Sequence, residues 1–190
     1  MMRVLMLGNS FTHCNDLPGL LEKRLGDGAE VASVTRGGAR LTEFLNPETA
    51  SGEKTLRALK EERWDYVVLQ EMSHGPITSP KSFRASVAGL VELIRANGAK
   101  PVLYATWAYR KDCDRLSGIQ FTYEEMYRGM TEAYRAAARE YHALLAEVGT
   151  RFYELADPEA LYADDAQHPS LKGSELAADT LAETILADCR

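Results

Sequence analysis

The chain has 190 residues, enough for one domain with a substantial hydrophobic core. Hydrophobic residues make up 45% and charged residues 26%, a balance typical of globular proteins. The net charge of −6 argues against general nucleic-acid binding, because no basic patch is available to neutralise phosphates. No apolar run is long enough to span a membrane, so no membrane partner is expected.

The cysteines and the N-terminus bear on the compartment. Cys14, Cys113 and Cys189 are odd in number and widely spaced, and they form no C-x-x-C pair and no zinc pattern. A reduced, cytoplasmic setting is the simpler interpretation. The apolar run after Arg3 is too short for the core of a signal peptide, although a leader removed earlier would leave no trace.

Short apolar runs alternate with helical periods along the chain. Predicted strands span residues 3–7, 30–35, 65–69, 101–106 and 143–148. Predicted helices span residues 17–25, 53–62, 79–98, 122–141 and 170–188. Asp16 and Gly26 are a plausible cap and stop for the first helix, Gly98 closes the third, and Thr122-x-x-Glu125 is a capping box for the fourth.

This alternation predicts an α/β fold built from parallel βαβ units with right-handed crossovers. Five strands suggest a flavodoxin-like, three-layer αβα sandwich with strand order 2-1-3-4-5, formed by a single domain over residues 1–190. Ligands of such sheets bind outside the carboxyl ends of the strands, where the order reverses. That point lies between strands 1 and 3, and Ser10 comes just after strand 1.

Ser10, in Gly8-Asn9-Ser10, has two interpretations. It caps the following helix, or it is a nucleophile at the edge of the sheet. A serine nucleophile needs a base, which should be a histidine oriented by a carboxylate. The second interpretation therefore depends on a histidine that can reach the edge of the sheet.

Among the four histidines, His168 fits the base best. Asp165-x-x-His168 lies in a polar segment before the last helix, so that in a turn the carboxylate can accept from one ring nitrogen while the other faces a nucleophile. His142 belongs to the long helix, and His13 and His74 are expected at loop or rim positions. In the predicted strand order the start of the last helix comes near the start of the first, which brings His168 towards Ser10.

Candidate donors for a developing oxyanion follow the strands beside strand 1. Gly37-Gly38 follows strand 2, where backbone N–H groups can approach a ligand without an intervening side chain. Gln70 ends strand 3 and offers a side-chain amide, and the N–H of Ser10 is a third candidate. Three separate segments thus converge on one point.

Taken together, these blocks resemble the SGNH/GDSL hydrolase superfamily. Gly8-Asn9-Ser10-Phe11, the glycine after strand 2, the amide at the end of strand 3 and the late Asp165-x-x-His168-Pro169 fall in the family's order and span residues 8–168. The resemblance implies Ser10 as nucleophile, His168 as base, Asp165 as its partner and Gly38 as an oxyanion donor, with Gly37 and Asp164 as alternatives.

Two positions depart from the family pattern. Asn9 replaces the usual Asp of the first block, and no Gly-x-Asn-Asp follows strand 3. Gln70-Glu71 resembles branches that carry Gln at this point, such as the sialate-esterase-like carbohydrate esterases. Gln70 is accordingly the expected third oxyanion donor, with Glu71 and Ser73 as alternatives.

Residues 107–121 form the longest stretch without periodicity and follow strand 4 at the same edge of the sheet. A loop of this length in a compact domain often has a functional role, so we expect it to line the substrate pocket. Trp107 and Tyr109 are predicted to stack on sugar rings or acyl groups; simple packing of Trp107 beneath the loop is the alternative. Asn9 and His13 complete the expected substrate-binding residues.

The sequence thus predicts a serine esterase that cleaves a small-molecule ester or an acylated sugar, such as an O-acetylated carbohydrate, through an acyl-enzyme. No metal or cofactor is expected, because neither a Gly-Lys-Ser/Thr phosphate loop nor His-Glu-x-x-His occurs. The alternative is a non-catalytic flavodoxin-like module that binds a phosphate-containing ligand at the strand 1 loop. That alternative leaves Asp165 and His168 without a role.

Overall fold

The computed structural model describes residues 1–155 and 157–189. A parallel sheet with the order β2-β1-β3-β4-β5 forms its centre, which confirms the predicted fold class and strand order. The strands are β1 (Met2–Gly8), β2 (Ala29–Thr35), β3 (Tyr66–Leu69), β4 (Lys100–Tyr104) and β5 (Leu144–Ala146). The last two are shorter than predicted, and the β5 run ends early because a helix begins at Val148.

The helices are α1 (Ser10–His13), α2 (Leu17–Leu25), α3 (Leu41–Leu45), α4 (Ala50–Glu61), α5 (Gly75–Thr78), α6 (Pro80–Asn97), α7 (Arg115–Ile119), α8 (Tyr123–Glu140), α9 (Val148–Glu154) and α10 (Leu171–Asp188). The predicted helices correspond to α2, α4, α6, α8 and α10. The others are short, and one or two turns do not reveal a helical period. Helix α7 corrects the expectation that residues 107–121 are irregular throughout.

Local capping explains where the long helices begin. The Asp16 carboxylate accepts from the Gly19 amide at 3.3 Å, and Thr122 and Glu125 form the expected capping box. The Ser170 hydroxyl accepts from the Gly173 amide at 3.2 Å and fixes the start of α10. These caps satisfy amide groups that have no partner inside their own helix.

The central strands β1 and β3 carry the core. Val4–Leu7 and all four residues of β3 are buried, as expected for parallel strands covered on both faces. Helices α2 and α10 pack together on one face, and α6 packs with α4 and α8 on the other. The carboxyl ends of the strands therefore open between two helical layers, and the starts of α1 and α10 meet at that edge.

No helix within residues 1–155 and 157–189 is both long and apolar enough to cross a membrane.

Candidate active site

Ser10 is the first residue of α1, and its neighbour Asn9 caps that helix. The Asn9 carboxamide oxygen accepts from the Phe11 amide at 3.1 Å. The interpretation of Ser10 as a helix cap is therefore wrong, because the preceding residue performs that function. The Ser10 hydroxyl is left to face the segment that precedes α10.

The structure brings Ser10, His168 and Asp165 together. The Nε2 atom of His168 lies 2.9 Å from the Ser10 hydroxyl, across 158 positions of sequence. The Nδ1 atom of the same ring pairs with the Asp165 carboxylate. Since an ionised carboxylate only accepts, the proton is placed on Nδ1, which leaves Nε2 as an acceptor for the serine proton.

Asp165 organises this segment through both carboxylate oxygens. Oδ1 accepts from the amides of Gln167 at 3.1 Å and His168 at 2.9 Å, and Oδ2 accepts from the Gln167 side chain at 3.1 Å. Burial acts to raise the pKa of the Asp165 carboxyl, but the hydrogen bonds from His168 and Gln167 outweigh it and hold that pKa well below its ordinary value. Asp165 is therefore ionised at neutral pH and keeps the imidazole in one orientation.

Trp107 supports the His168 segment from below, as in the alternative that it packs beneath the loop. Its side chain is 1% exposed and lies between Phe11 and Phe152, with ring centroids at 4.8 and 4.2 Å. The indole N–H donates to the Gln167 carbonyl at 3.0 Å. The stacking prediction is wrong, because an amphipathic ring with one hydrogen-bonding edge fills the core and anchors the loop above it.

Tyr109 is also buried, and the prediction that it contacts substrate is wrong for the same reason. Its ring is fully buried, and its hydroxyl lies 2.5 Å from the hydroxyl of Ser73. Tyr109 therefore reaches the site only through Ser73.

A pocket of about 170 Å³ opens beside the Ser10 hydroxyl. It is lined by Asn9, Ser10, Phe11, Gly38, Met72, Ser73, Arg115, Gln167 and His168. Of the residues predicted to bind substrate, only Asn9 is in this lining. His13 is exposed and lies outside it, because three residues after Ser10 it is displaced by about 4.5 Å along the axis of α1.

Two backbone amides are available at this pocket. Neither the N–H of Ser10 nor that of Gly38 has a hydrogen-bond acceptor among the described residues. Gly38 has φ of +69°, a left-handed conformation that favours glycine, whereas Gly37 is not part of the pocket lining. The Asn9 side-chain N–H₂ donates to the Ala39 carbonyl at 3.1 Å and so ties the Gly38 loop to Ser10.

Gln70 does not reach the pocket, contrary to its expected role as an oxyanion donor. The side chain is fully buried, and its Oε1 accepts from the Asn9 amide and from the Thr12 hydroxyl, both at 2.9 Å. Its Nε2 donates to the carbonyl of Glu71. Because the Asn9 N–H is a donor, the Gln70 atom that faces it must be Oε1. The Nε2 donor of Gln70 therefore faces the Glu71 carbonyl and is directed away from the pocket.

Glu71 is a buried carboxyl that joins two loops beneath the site. Oε1 accepts from the Met72 amide at 2.7 Å, and Oε2 accepts from the Leu41 amide at 3.3 Å. Burial raises the pKa of Glu71, and these backbone hydrogen bonds offset only part of that effect. The residue is not in the pocket lining, so among the alternatives for the third donor only Ser73 faces the site.

Sequence reasoning missed Phe11, Met72, Arg115 and Gln167 as pocket residues. Their neighbourhoods were identified, because each adjoins a predicted block or lies in the loop after β4. For Phe11 and Arg115, the side chain that faces inward depends on the short helices α1 and α7, which the sequence pattern did not reveal. Arg115, the first residue of α7, was not distinguishable by sequence from Arg110 or Lys111.

The site thus combines an ionised carboxylate, an oriented imidazole, a serine hydroxyl and free backbone amides at the switch point of an α/β sheet, as in a hydrolase with a serine nucleophile. Residues 1–155 and 157–189 contain no group of three or more His, Cys, Asp and Glu side chains that could hold a metal ion.

Comparison with solved structures identifies the family. A protein from Slackia heliotrinireducens, described as "a putative SGNH hydrolase", is 49% identical over 97% of this chain and 98% of its own, with a TM-score of 0.93. The chain therefore belongs to the SGNH hydrolase family, which confirms the resemblance seen in its blocks. No protein-family model and no curated protein matches the sequence.

More distant structures share the fold. A DUF4886 family protein from Bacteroides uniformis is 21% identical, with a TM-score of 0.78 over 98% of this chain and 83% of its own. A carbohydrate acetylesterase from Sinorhizobium meliloti is 16% identical, with a TM-score of 0.69 over 98% of this chain and 99% of its own. At these identities the likeness concerns the fold alone.

Proposed function

We propose that this chain, as a single domain over residues 1–190, is a serine hydrolase that cleaves small esters through an acyl-enzyme. The observation that carries the proposal is the line of hydrogen bonds from Asp165 through His168 to Ser10. A binding module would have no use for an imidazole aligned between a carboxylate and a serine hydroxyl.

The proposed reaction begins when His168 Nε2 removes the proton of Ser10 as its Oγ attacks the ester carbonyl. Asp165 stabilises the imidazolium that forms. The amides of Ser10 and Gly38 donate to the oxyanion of the tetrahedral intermediate. The imidazolium then protonates the leaving alcohol, water enters, and the same groups hydrolyse the acyl-enzyme and restore the free serine.

Ser73 is the third oxyanion donor in this proposal, in place of Gln70. Ser73 lines the pocket, and the buried Tyr109 hydroxyl lies 2.5 Å from its hydroxyl. With Tyr109 as the donor in that pair, the Ser73 proton is shared with the sulfur of Met72, another pocket residue, at 3.6 Å, and we propose that an oxyanion replaces this weak acceptor. A serine hydroxyl held in this way supplies the donor that an amide side chain would otherwise provide.

The pocket volume favours a short acyl group. About 170 Å³ is well below the ~300–1,000 Å³ of sites that enclose drug-sized ligands. An acetyl or similarly small acyl group is the proposed substrate group. A carbohydrate as the alcohol agrees with the carbohydrate acetylesterase that shares this fold.

Replacement of the nucleophile tests the proposal. Ser10→Ala should lower kcat/KM for an aryl acetate by about 10⁴-fold or more, because the acyl-enzyme cannot form. Ser33→Ala is the matched control, since Ser33 is exposed on the edge strand β2 and lies away from the pocket. Unchanged hydrolysis in Ser10→Ala, or a serine-directed covalent inhibitor that adds mass elsewhere, would overturn the assignment.

The proposed third donor has its own test. Ser73→Ala should reduce kcat by about 10²–10³-fold with a folded protein, as expected for loss of one oxyanion donor. Tyr109→Phe should give a smaller reduction, because it removes only the group that orients Ser73. A Ser73→Ala enzyme with the wild-type kcat would remove Ser73 from the oxyanion hole.

A further inference from the structure

The pocket beside Ser10 is lined by one cation and no carboxylate, in a chain that is acidic overall. The net charge of the chain is −6, but no Asp or Glu is among the pocket residues. Arg115 is one of them, and the Asp165 carboxylate is not in the lining but is held by His168 and Gln167. The formal charge among the lining residues is therefore that of Arg115, opposite in sign to the net charge of the chain.

Arg115 has no charged partner within the described part of the chain. Many of the other arginines form salt bridges with a carboxylate: Arg3, Arg24, Arg36, Arg84, Arg110, Arg135 and Arg151. The guanidinium of Arg115 forms neither a salt bridge nor a hydrogen bond with a described residue. An exposed guanidinium at a pocket is a fork of donors suited to a carboxylate or phosphate.

Arg40 is a second arginine on the same side of the site, and it differs from Arg115 in its surroundings. Burial lowers the pKa of the His74 imidazole, and the positive charges of Arg40 and Arg115 lower it further. Both arginines are thus close enough to act on the same ring. The charge of Arg40 also lowers the pKa values of Glu43 and Glu71, so Arg40 has carboxylates near it, whereas Arg115 forms no salt bridge with a described residue.

We infer that the substrate is an anionic ester whose carboxylate, phosphate or sulfate is bound by the guanidinium of Arg115 at the pocket beside Ser10. This inference rests on the proposed function and adds the substrate class. A neutral pocket would accept any short ester that fits. A pocket with one uncompensated cation selects an ester with negative charge near the scissile bond.

Matched ester pairs test this inference on both sides of the scissile bond. For the alcohol side, 4-acetoxybenzoate is compared with the neutral 4-acetoxybenzamide. For the acyl side, the 4-nitrophenyl monoester of succinate is compared with 4-nitrophenyl 4-oxopentanoate. The measured quantity is the ratio of kcat/KM for the anionic member to that for the neutral member, and intrinsic reactivity cancels when variants are compared.

Arg115→Gln should lower this ratio about tenfold for the side on which the anion binds. A tenfold loss is at the lower end of the range expected when a hydrogen bond to a charged group is removed. The lower end applies because Arg115 is exposed and solvent weakens its interaction with an anion. Arg115→Lys should retain part of the preference, since it keeps the charge and loses the fork. Arg57→Gln is the control: Arg57 is exposed on α4, the same charge is lost, and the ratio should stay as in the wild type.

Binding measured without turnover separates this inference from the proposed function. In the Ser10→Ala background, calorimetric titrations use both anionic esters, 4-acetoxybenzoate and the 4-nitrophenyl monoester of succinate. For the ester whose anion is on the binding side, Arg115→Gln should weaken binding about tenfold, and added salt should reduce this difference. If the wild type cleaves no ester, the proposed function fails and these titrations still decide the anion site. Ratios and affinities that stay within about twofold in Arg115→Gln would overturn the inference.

Discussion

The substitution Gln70→Leu tests whether Gln70 stabilises the fold or donates a hydrogen bond to the oxyanion. Gln70 Oε1 accepts from the Asn9 amide and the Thr12 hydroxyl at 2.9 Å each, in a fully buried position. Leucine has a similar volume, so little cavity is created. The substitution removes the acceptor from two buried donors directly beside Ser10, and it also removes the donor to the Glu71 carbonyl.

The expected loss follows from those two donors. A buried donor left without an acceptor costs about 1–3 kcal/mol, so Gln70→Leu should lower the free energy of unfolding by about 2–6 kcal/mol. That is a large part of the ~5–15 kcal/mol that stabilises a typical domain. Thr12→Val removes one donor and leaves Oε1 paired with Asn9, so it should cost only about 0.5–1.5 kcal/mol.

Urea unfolding followed by circular dichroism measures both effects and their coupling. The double variant should cost less than the sum of the single variants, because Thr12→Val removes the hydroxyl that Gln70→Leu leaves unpaired. The reasoning fails if Gln70→Leu keeps the unfolding free energy within about 0.5 kcal/mol while kcat falls about 10²–10³-fold, since that pattern indicates a donor to the oxyanion.

Three further predictions concern the surroundings of the site. Gly8→Ala should lower the unfolding free energy by about 1–3 kcal/mol and shift Tm by several degrees in calorimetry, because the new Cβ would lie 2.2 Å from the Thr12 hydroxyl oxygen. Trp107→Phe should lower kcat more than it raises KM in steady-state kinetics, because loss of the indole donor to the Gln167 carbonyl loosens the His168 segment. Burial raises the pKa of Glu71 in the folded state, so above pH 4.5 the unfolded chain loses this proton more readily than the folded protein. The contribution of Glu71 to the stability of the wild type therefore falls as pH rises, and the Glu71→Gln variant should become more stable relative to the wild type over that range. Urea titrations at a series of pH values measure this trend.

Each of these predictions has a contrary result. A Gly8→Ala protein with the wild-type Tm would mean that the Thr12 side chain can move away from the new methyl group without loss of stability. A Trp107→Phe enzyme that changes only KM would place the indole at the substrate. A stability difference between Glu71→Gln and the wild type that does not vary with pH would show that the carboxyl is not perturbed by burial.

Much of the fold and of the site was predictable from local pattern. The alternation of apolar runs with helical periods predicted five parallel strands, and the family order of the blocks placed Ser10, Asp165 and His168 at one edge. Asp165-x-x-His168 is a local motif, so the hydrogen bonds that orient the imidazole were also expected. Each of these features depends on residues close in sequence or on the topology of a common sheet.

The direction of individual side chains was not predictable. Trp107 and Tyr109 follow β4 at the correct edge, but packing turns both into the core, where they support the Gln167 carbonyl and Ser73. Gln70 ends its strand at the correct place, yet the Asn9 amide and the Thr12 hydroxyl engage its oxygen. These contacts join residues that are distant in sequence, and sequence pattern does not specify which of them forms.

The sequence by itself therefore determined the sheet, its order and the serine, histidine and carboxylate at its edge, because periodicity and local motifs fix elements and their ends. The tertiary structure alone decided what surrounds them. Packing buried the aromatic residues, turned Gln70 inward, and left Ser73 and Arg115 facing the pocket. In a close-packed interior, the direction of each side chain is set by all of its neighbours at once, and those neighbours come from every part of the chain.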